Sequence, residues 1–208
     1  MSDAAHPLWI YFLLVAGIVA LPGMDMAYVT ASSLLRGRRA GLAATAGIVA
    51  AGGVHIGAGV LGLGLLLSQA PLLFNALLLA GAAYIAWLGV GLWRAPAGAT
   101  PNGGSAPASL HAVFARGALT SLLNPKAYVF GLAVLPQFLS SDANAWLARG
   151  LALSAITALT QLGIYGAVAL LAGGRGLRTQ SRWLPRAVAA LLVGTSLWTL
   201  AWGWRSFT

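Results

Sequence analysis

Two charged residues stand where an apolar chain is least able to hold them. Asp25 lies in A-L-P-G-M-D-M-A-Y-V (Ala20 to Val29), and Lys126 lies in S-L-L-N-P-K-A-Y-V (Ser121 to Val129), each within a long hydrophobic run. Asp25 is the only acidic residue of any such run, because Asp3 and Asp142 fall near the N-terminus and between runs; Lys126 is the only lysine of the chain. One charge at a bilayer centre costs about 2.5–3.5 kcal/mol on insertion scales, so each is expected to face an interior cavity and to have a partner. They can partner each other. The structural alternatives are a permanent ion pair, or a Lys126 that snorkels to the interface along its flexible stem.

Both charges follow a helix break. Pro22-Gly23 precedes Asp25, Asn124-Pro125 precedes Lys126, and each break leads into A-Y-V, at 27–29 and 127–129. A proline removes a backbone donor and disturbs the carbonyl one turn earlier, and in hydrocarbon an unmet carbonyl costs several kcal/mol unless water, a side chain or a solute takes its hydrogen bond. A lone proline often serves only to kink a helix for packing. Two matched breaks, each beside an ionisable residue, point instead to a polar binding site near the bilayer midplane, with Asp25, Lys126, Asn124, Pro22, Gly23 and Pro125 as its candidates.

Four further residues are candidates for lining that site. His55, in G-G-V-H-I-G, titrates near neutrality when unperturbed and can relay protons or simply pack. Gln161 lies one turn from Thr157 and beside Thr160, a polar set that lines a path or bonds between helices. Tyr28 and Tyr128 hold equivalent places after the two breaks, either lining a cavity or packing. Asn124 offers its amide to a ligand or caps the broken helix.

The elements that must position these residues follow from composition. With 59% hydrophobic and 7% charged residues and a mean hydropathy of +0.84, the chain falls outside the soluble classes. Its apolar windows are about the 20 residues that a helix needs to cross the hydrocarbon core. Six spans are predicted, at about 8–30, 41–67, 71–93, 113–138, 146–172 and 185–204. The first follows Met-Ser-Asp-Ala-Ala-His-Pro, which lacks the basic start of a signal peptide, so it is expected to be retained. Trp9, Trp93, Trp146, Trp183, Trp202 and Trp204 fall near span ends, where indole rings prefer the headgroups.

Basic residues alternate between connections. Arg36, Arg38 and Arg39 follow the first span, Arg94 and Arg116 flank the third connection, and Arg175, Arg178, Arg182 and Arg186 gather in the fifth; Ser68-Gln69-Ala70-Pro71 carries no charge, and the fourth balances Asp142 with Arg149. By the positive-inside rule the odd connections are cytoplasmic and both termini lie outside. The scattered net charge of +9 thus sets orientation, and no nucleic-acid partner is expected. Ala95 to Ser109, rich in Ala, Gly, Pro and Ser, reads as part of a flexible cytoplasmic linker at about 94–112. It separates repeat one (about 8–93) from repeat two (about 113–204) within one transmembrane domain. Three spans per half place the halves in opposite senses, an all-α inverted repeat with broken first helices.

Several chemistries are excluded. The chain has no cysteine, hence no disulfide, thiolate catalysis or thiolate metal site. No phosphate-binding loop matches G-x-x-x-x-G-K-[ST], and no His and carboxylate cluster has metal-ligand spacing, so no nucleotide, metal or other cofactor and no enzymatic reaction are expected. Gly53-x-x-x-Gly57, with Ala51 and Ala58 beside it and Gly62 and Gly64 beyond, predicts a thin helix face for close packing and makes a homodimer conceivable.

Arg116 to Phe138, R-G-A-L-T-S-L-L-N-P-K-A-Y-V-F-G-L-A-V-L-P-Q-F, closely resembles the second-half signature of the lysine exporter (LysE/RhtB) family of amino-acid efflux proteins. P-G-M-D-M, R-G-R-R-A-G and G-A-A-Y-I-A-W-L-G (Gly81 to Gly89) match it too, so that the resemblance covers nearly the whole chain. The family usually has Pro-Gly-Pro-Asp; here Met24 replaces the second proline, which is expected to soften the first break. The resemblance implies export of small amino acids or derivatives across a bacterial-type inner membrane, driven by protons. A zwitterion presents an ammonium and a carboxylate, and a low-dielectric site must satisfy both. Asp25 can take the ammonium, with Lys126 and freed backbone N–H groups taking the carboxylate; Asp25 can also carry the proton, or do each in turn. With no second buried carboxylate for a cationic side chain, a neutral cargo such as threonine, homoserine or leucine is expected. A passive channel or facilitator, and a non-transport assembly factor, are the alternatives; acceleration of counterflow by an acid-outside gradient separates proton-coupled export from the facilitator, and the assembly factor gives no flux under any gradient.

Overall fold

Among the described residues the chain forms eight α-helices, divided by the breaks. The computed structural model describes residues 8–60, 71–94, 109–139, 143–174 and 183–205. In order they form α1 (Leu8–Ala20), α2 (Met24–Arg36), α3 (Arg38–Val60), α4 (Pro71–Arg94), α5 (Leu110–Leu122), α6 (Pro125–Ala133), a 3-10 turn (Leu135–Phe138), α7 (Ala143–Ala172) and α8 (Leu184–Arg205). The described residues contain no strand. A broken helix followed by two long ones therefore occurs twice.

Local chemistry explains each boundary. Pro22 has no N–H to continue α1, whose last bond is Leu21 N to Gly17 O at 3.2 Å, and α2 restarts with Ala27 N to Gly23 O at 2.9 Å. The two segments are bent by 58° with Met24 in place of the family's second proline. Met24 is the first residue of α2, where a backbone N–H has no intrahelical acceptor, so a proline at that position would remove no helical hydrogen bond. In the second half Asn124 caps α6 by accepting from Lys126 N at 3.1 Å, with Pro125 at the first helical position. Gly37 alone separates α2 from α3; its φ of 89° is one that L side chains avoid. Ser109 caps α5, which therefore starts within the stretch assigned to the linker; residues 95–108 lie outside the described residues.

Length and apolarity qualify α3 and Ala145–Ala172 of α7 as membrane spans among the described residues, and the bent α1–α2 pair as a third. α4 and α8 have 24 and 22 residues but shorter strongly apolar stretches, Leu79–Gly91 and Arg186–Trp198. The first span continues past residue 30 to Arg36, and the second is helical to Val60; 61–67, with Gly62 and Gly64, lies outside the described residues, as do Asp3, Asp142, Ser68 to Ala70, Arg175, Arg178 and Arg182. Outward faces carry Leu72, Leu159, Leu171 and Trp198, all largely exposed, as lipid-facing residues are.

α3 is the central element, packed on α2, α5 and α7. Its glycines make this possible, but not those expected. A Cβ at Gly53 or Gly57 would meet nothing within 4 Å, whereas one at Gly47 would collide with the backbone at Phe114 and one at Gly117 would lie 2.6 Å from Ala44 O. α3 and α5 thus meet backbone to backbone. Pairings recur between the two sets of helices: α3 lies on α5 and α7 on α1, α2 on α7 and α6 on α3, α2 on α8 and α6 on α4.

Candidate functional site

The two breaks meet inside the bundle. Asp25, in the first turn of α2, is 3% exposed, and that helix end favours a carboxylate. Its Oδ2 accepts a long hydrogen bond from Ser121 Oγ at 3.4 Å, and its Oδ1 has no partner. The Asn124 amide lies beside the carboxylate and Lys126 is within electrostatic reach, but neither meets hydrogen-bond geometry with it.

The expected direct pairing of Asp25 with Lys126 is therefore not formed. Lys126 Nζ donates instead to Ile18 O at 2.9 Å and Leu21 O at 3.0 Å, the carbonyls freed where Pro22 ends α1. Backbone need explains the choice: two carbonyls without intrahelical donors at a helix C-terminus, which carries partial negative charge, are satisfied by a cationic donor. An ammonium has three hydrogens, so one remains to be given.

The broken end of α5 is closed by similar means. Tyr128 Oη donates to Leu122 O at 2.8 Å, and His55 Nε2 lies 2.9 Å from Ser121 O. A carbonyl only accepts, so Nε2 carries the hydrogen. The His55 and Tyr128 rings meet edge to face at 4.7 Å. Tyr28 donates to Val113 O at 3.2 Å, so both tyrosines that follow a break bind carbonyls of α5.

A cavity opens between these groups. Asp25, His55, Asn124, Lys126 and Gln161 line it, together with Thr157 and Tyr165 and with apolar walls that include Val15, Val19, Ile56 and Phe130. The centre of a water molecule has about 50 Å³ in which to move there, room for a few waters. Pro22, Gly23 and Pro125 line a different, wider cavity of about 690 Å³, against α8. Ile18, Asn124 and Lys126 border both, so the Lys126 side chain forms part of the wall between them.

Three polar atoms in the smaller cavity's lining residues are buried without a hydrogen bond: Asp25 Oδ1, Gln161 Oε1 and Asn124 Nδ2. Buried polar groups are rarely left so, and three at one cavity mark a place for a polar solute. Thr157 serves another purpose, bonding Tyr11 Oη at 2.9 Å between α7 and α1, while Thr160 bonds back to Ile156 O at 2.7 Å within α7. Ser121 and Tyr165 are additions to the expected set. Tyr165 continues the stripe of Thr157 and Gln161 at four-residue spacing, a signal present in the sequence; Ser121 lies one turn before Asn124 on the face that meets α2. No group of three metal-ligating side chains occurs among the described residues.

The sequence profile of the LysE type translocators matches residues 16–203. The chain belongs to the LysE type translocator family. Translocators of this family are membrane transporters, not enzymes. This translocator is 33% identical over 175 residues to an uncharacterized membrane protein of Vibrio cholerae, covering 82% of this chain and 84% of that one. It is 36% identical over 132 residues to the homoserine/homoserine lactone efflux protein of Salmonella typhimurium, covering 63% of this chain and 64% of that one. Against the threonine efflux protein of the same organism the identity is 28% over 190 residues, covering 85% and 90%. No solved structure matches the translocator.

Proposed function

We propose that the translocator exports small neutral amino acids or close derivatives, of the threonine, homoserine or leucine type, from the cytoplasm in exchange for protons. The observation that carries this reading is the set of orphaned atoms. Asp25 Oδ1 and Gln161 Oε1 are acceptors for an ammonium; Asn124 Nδ2 and the third hydrogen of Lys126 are donors for a carboxylate. They match an α-amino acid group by group, and the apolar wall with no second carboxylate suits a small uncharged side chain. The names of the homoserine and threonine efflux relatives favour the same cargo.

In this reading Asp25 takes either the ammonium or a proton, so that protonation from outside expels the cargo and binding of cargo inside expels the proton. The two sets of broken, long and long helices act as inverted repeats of three spans that rock about the cavity, with α4 and α8 counted as spans and α5, α6 and the 3-10 turn as one broken span. The recurring helix pairings support this. Both termini then lie outside the inner membrane, with Arg36 and Arg116 on the cytoplasmic side.

Flux in proteoliposomes tests the reading. Threonine, homoserine, leucine and lysine are screened with and without an imposed acid-outside gradient; acceleration of a neutral amino acid is expected. Selective carriage of lysine would refute the cargo assignment, and gradient-independent flux would leave a facilitator.

A further inference from the structure

A second polar cluster lies at the far end of α2. Asp25, Tyr28, Ser32 and Arg36 recur at spacings of three and four residues and share one face of that helix. Tyr28 and Ser32 are buried and Arg36 is half-buried, so the stripe runs through the interior and not along lipid. At its end Arg36 and Arg116 of α5 lie within electrostatic range of each other; Tyr28 is within range of both, and Tyr84 of α4 is within range of Arg116 and Tyr28.

This cluster is unbalanced. Asp25 is the only acidic residue among the described residues, and about 16 Å of helix, eleven residues, separates it from Arg36. Arg36 Nη2 and the Tyr84 hydroxyl are both buried without a hydrogen-bond partner. Two guanidinium groups and an idle hydroxyl, from three helices and with no carboxylate, are complementary to an oxyanion. We infer that Arg36, Arg116 and Tyr84 form a second binding site, one that takes the carboxylate of the cargo at the mouth of the pathway before the cargo reaches Asp25.

The inference rests on the amino-acid reading above, and two features favour the cargo over a lipid phosphate. Arg36 lies on the same helix stripe as Asp25, and the orphaned atoms of the site are buried within the protein. The separation also forbids one amino acid from engaging both sites, since its charged groups lie only a few Å apart. The sites are therefore used in succession, the outer one recognising a carboxylate and the inner one the whole zwitterion.

The purified protein is heated in detergent with sodium acetate or sodium chloride at equal ionic strength. Acetate is expected to raise the melting temperature of the wild type and of Arg39→Gln, an exposed control, but not of Arg36→Gln, Arg116→Gln or the isosteric Tyr84→Phe. No increment in the wild type, or an increment kept in both arginine variants, overturns the site. In vesicles, KM measured from the face that bears Arg36 is expected to rise about tenfold in Arg36→Gln with the maximal rate retained, as when one hydrogen bond to a charged ligand is lost. An unchanged KM, or a dependence on phosphatidylglycerol that vanishes in the arginine variants, overturns the assignment to cargo. A wild type that carries no amino acid yet is stabilised by acetate overturns the amino-acid reading and leaves an anion site.

Discussion

Ser121 holds one oxygen of Asp25 at 3.4 Å while the other oxygen of the same carboxylate is buried without a partner. One half of the carboxylate is thus held by α5, and the other half, in a residue that lines the cavity, is left without a hydrogen bond.

Asp25→Asn keeps the shape and removes the charge. It is expected to abolish the acceleration of flux by an acid-outside gradient and to weaken cargo binding at least about tenfold. Counterflow with and without the gradient measures both; unchanged driven flux would remove Asp25 from the mechanism.

Lys126→Met leaves Ile18 O and Leu21 O without donors. Each unmet carbonyl costs roughly 1–3 kcal/mol, so a loss of about 2–6 kcal/mol in stability is expected, with partial recovery in Lys126→Arg. Unfolding in detergent decides it: full stability in the methionine variant would show that the carbonyls find other partners.

His55→Gln retains a side-chain N–H for Ser121 O and cannot shuttle a proton as imidazole does. Gradient-driven flux is expected to persist in this variant with a modest rise in KM, because His55 closes the end of α5. Loss of the gradient response alone would instead make His55 the proton carrier.

Gly47→Val is expected to prevent α3 and α5 from closing, at a cost of about 1–3 kcal/mol or more, whereas Gly53→Ala is expected to be neutral or to stabilise by up to about 1 kcal/mol through helix propensity. Melting temperatures of the two purified variants compare them directly. Equal destabilisation at both positions would mean that the Gly53 face is packed in the intact protein, as in a homodimer.

Much of this arrangement was legible in the sequence, because the signals for it are local. Pro22-Gly23 and Asn124-Pro125 mark the breaks by backbone chemistry alone, and the rarity of charge in apolar runs singles out Asp25 and Lys126. What Lys126 binds was not legible, since its acceptors are backbone atoms more than 100 residues away whose freedom depends on where α1 ends. Glycine spacing misled for a related reason. Gly47, Gly52 and Gly53 fall on different sides of one helix, which turns by about 100° per residue, and only the neighbours determine which sides are covered. Gln161 was found by its polarity, while Ser121, a common residue in membrane helices, gained its meaning only from the approach of Asp25.

The bond from Lys126 to Leu21 has a consequence for biosynthesis. A ribosome adds about 5–20 residues per second, so the 105 residues between these partners take roughly 5–20 s to make. During that interval the end of α1 has been inserted with its carbonyls unclaimed, and only lipid headgroups, water or the insertion machinery can attend to them. The first half of the chain is by this account an obligate apprentice to the second: expressed alone it should be retained by quality control and degraded, and supplying residues from about 109 onward on a separate chain should rescue it.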